Sequence, residues 1–133
     1  MTIRNKDVYM HNLWDWGILS GCFGDKNVAV SDIDGIMERN GQFLVIEAKS
    51  IEKEIPMGQS IMFSAMAAMP QFTVLIVWGE PGHVVRMQRW GVPSYEATNE
   101  DFRTAVRDWF TKANAHKSNG KLVPKPARVS NWG

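Results

Sequence analysis

Asn40-Gly41 sits between two apolar runs in "SDIDGIMERNGQFLVIEAKS", residues 31–50, and it restricts the chain more than any other feature. Both residues accept the positive φ angles of a type I′ turn, so the segment predicts a β-hairpin with a two-residue loop. In that register the numbers of facing residues sum to 81. Ile36 then faces Val45, Asp34 faces Glu47 and Asp32 faces Lys49. Directly opposed side chains share one side of a sheet, with Cβ atoms roughly 4.5–5.5 Å apart. The open end of the hairpin should therefore carry Asp32, Asp34, Glu47 and Lys49 as a charged patch. Ile33, Met37, Leu44 and Ile46 should point the other way, into a core.

Facing carboxylates repel, and a divalent cation removes that cost. Mg²⁺ prefers oxygen ligands and is usually held by one or two carboxylates with water and substrate phosphate. Lys49 emerges beside Glu47 because one residue separates them on a strand. An ammonium there can stabilise charge on a scissile phosphate, or orient or deprotonate an attacking water. Singly these residues are as easily a solvated strand end, and Asp34-Gly35 a turn; the joint pattern carries the reading.

The rest of the chain supplies a frame. Asp7–Cys22 has the apolar spacing of an amphipathic helix, and Val28–Glu38 and Phe43–Lys49 read as strands. Met57–Met69 reads as a helix ending at Pro70, with Met57, Ile61, Met62, Ala65, Ala68 and Met69 as its apolar face. "FTVLIVW" is apolar on both faces, as a buried central strand is, and Val84–Trp90 follows as an edge strand. Thr98 can cap a last helix running to about Ala115, burying Phe102, Ala105, Val106, Trp109 and Phe110. The expectation is one α/β domain over residues 1–115 with a central mixed sheet flanked by helices. Residues 116–133 have Pro, Gly and Ser without periodicity and should form a flexible tail.

Composition narrows the class. A single cysteine, Cys22, excludes an internal disulfide or a Cys-rich zinc site and points to an intracellular setting. The three histidines lack ligand spacing, and no Gly-rich phosphate loop is present. No apolar run approaches the roughly 20 residues of a membrane helix, and "MTIRNKDVYM" lacks the features of a secretory signal. Net charge is +1, but five of the 15 basic residues and none of the 14 acids fall after Phe110, which leaves a body of −4. Lys112, Lys117, Lys121, Lys125 and Arg128 can therefore meet an anionic partner, or form a solvated terminus. Trp14, Trp78 and Trp109 are expected in the core; Trp90 and Trp132 are candidates for stacking on bases.

The acid-turn-"IEAK" pattern resembles the PD-(D/E)XK nuclease superfamily, with Asp34 in "SDIDG" and Glu47-Ala48-Lys49 in "LVIEAKS". "GQSIMF", with Gln59 and Phe63, is similar to the glutamine-and-aromatic pair that RecB-like and lambda-exonuclease-like branches carry on the next helix. The small VRR-NUC nucleases are similar over the same window, and the likeness covers residues 28–79. It departs from the pattern in having Ile33 where proline usually precedes the aspartate, and Phe63 where tyrosine is usual. The candidates for the upstream acid many relatives carry are Asp7, Asp15 and Asp25, of which Asp15 in "LWDWG" is the one singled out.

The resemblance implies a restriction-endonuclease-like core ordered αβββαβ, with Val28–Val30 as the short first strand. It implies Mg²⁺ (or Mn²⁺) held by Asp34, Glu47 and the Ala48 carbonyl, with Lys49 activating water or stabilising the transition state and Gln59 positioning water or substrate. The implied activity is DNA hydrolysis, as an endonuclease of junction-resolving, homing or recombination type. A chain this small should act as a homodimer or higher oligomer, and compact nuclease domains of this kind resemble bacteriophage products. The competing expectation is an inactive nuclease-fold protein that binds nucleic acid or serves in assembly.

Overall fold

The computed structural model describes residues 15–117. The chain divides into two compact units, residues 1–32 and 33–133. In the described part of the first unit the only helical element is a 3-10 turn, Trp16–Leu19, capped by Asp15. The Asp15 carboxylate accepts from the Gly17 amide at 2.9 Å. The helix expected over Asp7–Cys22 is thus reduced to one turn in its described part, and residues 7–14 lie outside the described residues. The short strand expected at Val28–Val30 is not formed, and both valines are exposed.

The second unit holds β1 (Gly35–Arg39), β2 (Gln42–Lys49), α1 (Met57–Ala67), β3 (Phe72–Glu80), β4 (His83–Arg89), β5 (Tyr95–Glu96) and α2 (Asn99–Ala115). The five strands form one sheet in chain order; β2 and β3 are parallel and every other pair is antiparallel. A parallel pair needs a crossover, and α1 is that crossover. This mixed sheet flanked by helices resembles a generic restriction-endonuclease-like α/β core.

The hairpin register is the one the turn dictates. Asn40 and Gly41 have φ of 51° and 79°, and the ladder runs from Arg39↔Gln42 to Gly35↔Ile46. It stops there. Asp34 lies at a bend, and its carboxylate, not a β1 carbonyl, takes the Ala48 amide. A side-chain acceptor has ended the strand, so Asp34–Glu47 and Asp32–Lys49 are not ladder pairs.

β2 is covered on both sides. Val45 packs with Val74, Ile76, Trp78 and Phe63 on the α1 face. On the other face Ile46 packs with Val77, Met87, Ala97, Phe102 and Ala105, which brings in α2. The expected open charged face is therefore roofed by α1, while Ile33 and Met37, expected inside, are exposed. α1 also presents a different side from the one its apolar spacing suggests. Phe63 is fully buried and Met62, Met66 and Ala67 pack beside it, whereas Met57, Ile61 and Met69 are exposed. A helix apolar nearly all round has no stripe from which to read its orientation.

α2 keeps its expected start. Thr98 and Asp101 form a reciprocal capping box, which satisfies two otherwise orphaned amides. Its inner side is Phe102, Ala105 and Ala113, with Phe110 left half exposed beneath the Arg39 guanidinium. No helix among the described residues is long and apolar enough to cross a membrane.

Candidate active site

Burial of Glu47 is the feature that needs a chemical explanation. The residue is 4% exposed and shares its side of β2 with Val45, which is fully buried. An unpaired carboxylate in such a place costs several kcal/mol. Glu47 is satisfied from two directions: Oε2 lies 3.1 Å from Lys49 Nζ and accepts from Gln59 Nε2 at 2.8 Å. Lys49 in turn donates to Gln59 Oε1 at 2.6 Å. The three side chains close a ring, and no buried side-chain nitrogen or oxygen among the described residues lacks a partner. The ring also fixes the amide of Gln59, since the reverse orientation would set its NH₂ against an ammonium.

Each member is placed by a different local rule. Strand alternation puts Glu47 and Lys49 on one side of β2. Gln59 comes from the first turn of α1 and faces inward with Met62, Phe63 and Met66, at the i, i+3, i+4, i+7 spacing of one helical face. Glu47 and Lys49 lie at the carboxyl end of a strand whose parallel neighbour is reached through a crossover helix. Open α/β sheets commonly bind ligands at that end.

Asp34 joins from the antiparallel neighbour. Its Oδ2 accepts from the Ala48 amide at 2.9 Å, which sets an exposed carboxylate against the residue between Glu47 and Lys49. The site thus has an open lip, Asp34 and Ala48, and a buried back, Glu47, Lys49 and Gln59. A cavity of about 740 Å³ begins at this lip and runs under the α2 face, between Ala48, Val77, Phe102 and Arg103.

No cluster of three or more His, Cys, Asp and Glu side chains suited to a metal occurs among the described residues. The oxygen donors at hand are two carboxylates and the Ala48 carbonyl, all hard ligands of the kind Mg²⁺ or Mn²⁺ takes. The contacts on Glu47 and Asp34 each use one oxygen, Oε2 and Oδ2, so each carboxylate has a second. Asp32 lies outside β1, and Asp15 is occupied as a cap.

Among the other expected contacts, Lys112 and Lys117 are exposed, while Lys121, Lys125, Arg128 and Trp132 lie outside the described residues, as does Trp14. Trp90 is turned inward, edge-on to Phe63 with ring centroids 5.5 Å apart, and its indole N–H donates to Ser64 Oγ at 3.0 Å. Arg103 and Arg107 both pair with Glu100. One contact had no sequence signal. The Trp78 indole donates to the Lys53 carbonyl at 2.7 Å, and Trp78 is the parallel partner of Lys49. Only the β2–β3 register could have revealed it.

Comparisons with protein-family models, with curated proteins and with solved structures find no match to this chain.

Proposed function

We propose that the protein is a Mg²⁺- or Mn²⁺-dependent nuclease that hydrolyses DNA phosphodiester bonds, using the PD-(D/E)XK arrangement. The observation that carries this reading is the buried Glu47–Lys49–Gln59 ring set directly behind the Asp34–Ala48 lip. A strand end chosen for stability would place apolar side chains there, since replacing a buried ion pair by apolar groups is often neutral or stabilising.

Asp34, Glu47 and the Ala48 carbonyl would hold the cation. When bound, it supplies Lewis acidity at the phosphoryl oxygen and lowers the pKa of coordinated water. Lys49 has three N–H donors, of which Glu47 and Gln59 engage two, so one is left for a phosphate oxygen or the attacking water. Gln59 offers both a donor and an acceptor to align that water. DNA would lie across the open lip, with Lys112, Lys117, Lys121, Lys125 and Arg128 meeting phosphates. We assign the activity to an endonuclease of junction-resolving, homing or recombination type.

The enzyme would act as a homodimer or higher oligomer. Residues 55–79 contain no charged side chain, and the outer face of α1 presents Met57 and Ile61 at 76% and 64% exposure. Such a face offers nothing to phosphate or to a charged protein, and an identical face on a second copy suits it.

The test incubates the protein with plasmid, linear duplex, single strands and a four-way junction in Mg²⁺, Mn²⁺ or EDTA. Cleavage should need the metal and be lost in Asp34→Asn, Glu47→Gln and Lys49→Ala. Ile61→Glu should lower the oligomeric state in sedimentation. The alternative, an inactive nuclease-fold module for binding or assembly, draws on the fact that the Glu47–Lys49 pair already satisfies itself. DNA binding without cleavage in every metal condition would establish that alternative.

A further inference from the structure

α1 carries Gln59 to the site, yet its own start has no side-chain cap: the cap position is Pro56. Something else must set how far along its axis the helix begins. The link from Lys49 to α1 opens with a turn closed by the Lys53 amide on the Ser50 carbonyl at 3.1 Å. Glu52 within it has φ of +66°, a left-handed conformation that L residues other than Asn and Asp seldom take. Such a strained residue persists only where its surroundings over-determine it. The surrounding group here is Trp78. Its indole N–H donates to the Lys53 carbonyl at 2.7 Å, it is 8% exposed, and it packs with Ile55 and Phe63. Trp78 is also the register partner of Lys49 on the same side of the sheet.

We infer that Trp78 is a positioning residue: its indole N–H pins the Ser50–Lys53 turn and thereby sets Gln59 of α1 against Glu47 and Lys49. The link has few other restraints. Ile51, Glu52, Lys53 and Glu54 are all exposed, so without the indole contact the turn is free to relax its left-handed residue. Relaxation would slide the first turn of α1, and Gln59 would lose two short contacts together. Trp78 is buried and would act only through Gln59, never on DNA.

The inference rests on the nuclease reading for its kinetic consequence but not for its structural one, so two readouts are used. In cleavage assays Trp78→Phe, which keeps an aromatic ring and removes the N–H, should lower kcat about 10- to 100-fold with KM unchanged. In a Gln59→Ala background it should lower kcat no further. In ¹⁵N-resolved NMR, the side-chain amide pair of Gln59, identified by its loss in Gln59→Ala, should shift in Trp78→Phe. Unmoved Gln59 resonances, or kinetic losses that multiply in the double variant, would overturn the inference. Absence of any cleavage by the wild-type protein would remove the nuclease reading alone, and the NMR measurement would still decide the role of Trp78. Should Trp78→Phe fail to fold, a benzothiophene analogue of tryptophan at position 78 keeps the ring shape, removes the N–H and is read the same way.

Discussion

Glu47 and Lys49 depend on each other. Their side chains are 5% and 10% exposed, and each is charged where neither would be stable alone. Removing one partner of a buried pair leaves the other uncompensated, at a cost of about 3–5 kcal/mol. Glu47→Ala should therefore lower unfolding free energy by that amount in urea titrations. The double variant Glu47→Met/Lys49→Met, which leaves no charge behind, should recover much of the loss. Equal losses in the single and double variants would mean that the orphaned lysine charge is not the source of the loss. The acid-x-lysine spacing and its shared side of the strand were legible from strand alternation alone. Their burial was not, because alternation says which residues share a side and nothing about what covers it. Gln59 was placed by resemblance, and its contacts with both charges follow from the inward face of α1.

At the scale of elements, the hairpin tip and the end of α2 hold one another. Asn40 Nδ2 donates to the Ala113 and Asn114 carbonyls at 3.2 and 3.1 Å, and Arg39 donates through Nε and Nη2 to Asn114 Oδ1 at 2.8 and 2.6 Å. Asn40 thus both turns the chain and bonds the last carbonyls of α2, of which that of Ala113 also accepts from the His116 amide. Asn40→Gly keeps the positive φ and loses both bonds, so it should cost about 1–2 kcal/mol in thermal unfolding. A loss of only a few tenths would reduce Asn40 to a turn former. Glu52 should respond in the opposite sense. Glycine accepts φ of +66° without strain, and Glu52→Gly should raise stability by about 1 kcal/mol.

The start of α2 adds a pH dependence. A hydrogen bond from Arg107, followed by the charges of Arg107 and Arg103, holds Glu100 below its usual carboxylate value despite its exposure. The unfolded chain then binds more protons between the two pKa values, so the contribution is complete above the unfolded value of about 4.5 and disappears as pH falls through the folded one. The Tm difference between wild type and Glu100→Gln should be small at pH 7 and shrink as the pH is taken down from about 4.5. A difference unchanged by acid would trace it to packing. The cap of α2 was visible in Thr98, whereas the orientation of α1 was hidden because residues 55–79 contain no charge to mark an outer side.

Across the whole molecule, the order of the sheet brings chemistry to one end. β1 enters and β2 leaves at the same edge, so Asp34 reaches the Ala48 amide between Glu47 and Lys49 although 12 residues lie between Asp34 and Glu47. That convergence was predictable from the Asn40-Gly41 register; the closing of both faces of β2 needed the parallel β2–β3 pairing, which no local pattern encodes. Charge is distributed against this arrangement: the body is acidic and the cations cluster after Phe110. If those cations neutralise phosphates, each displaces condensed counterions, and log K for duplex DNA should fall with log salt by about 0.9 per contact. Replacing Lys121, Lys125 and Arg128 by glutamine should then reduce the slope by up to about 2.7, with affinity at low salt reduced as well. The rate of cleavage at saturating DNA should stay near wild type, because these residues are remote in sequence from every member of the site. An unchanged slope, measured by fluorescence anisotropy between low and moderate salt, would make the basic terminus a solvated one. The body would then have to attract DNA despite its negative charge, through the cation proposed for Asp34 and Glu47, and binding itself would become metal-dependent.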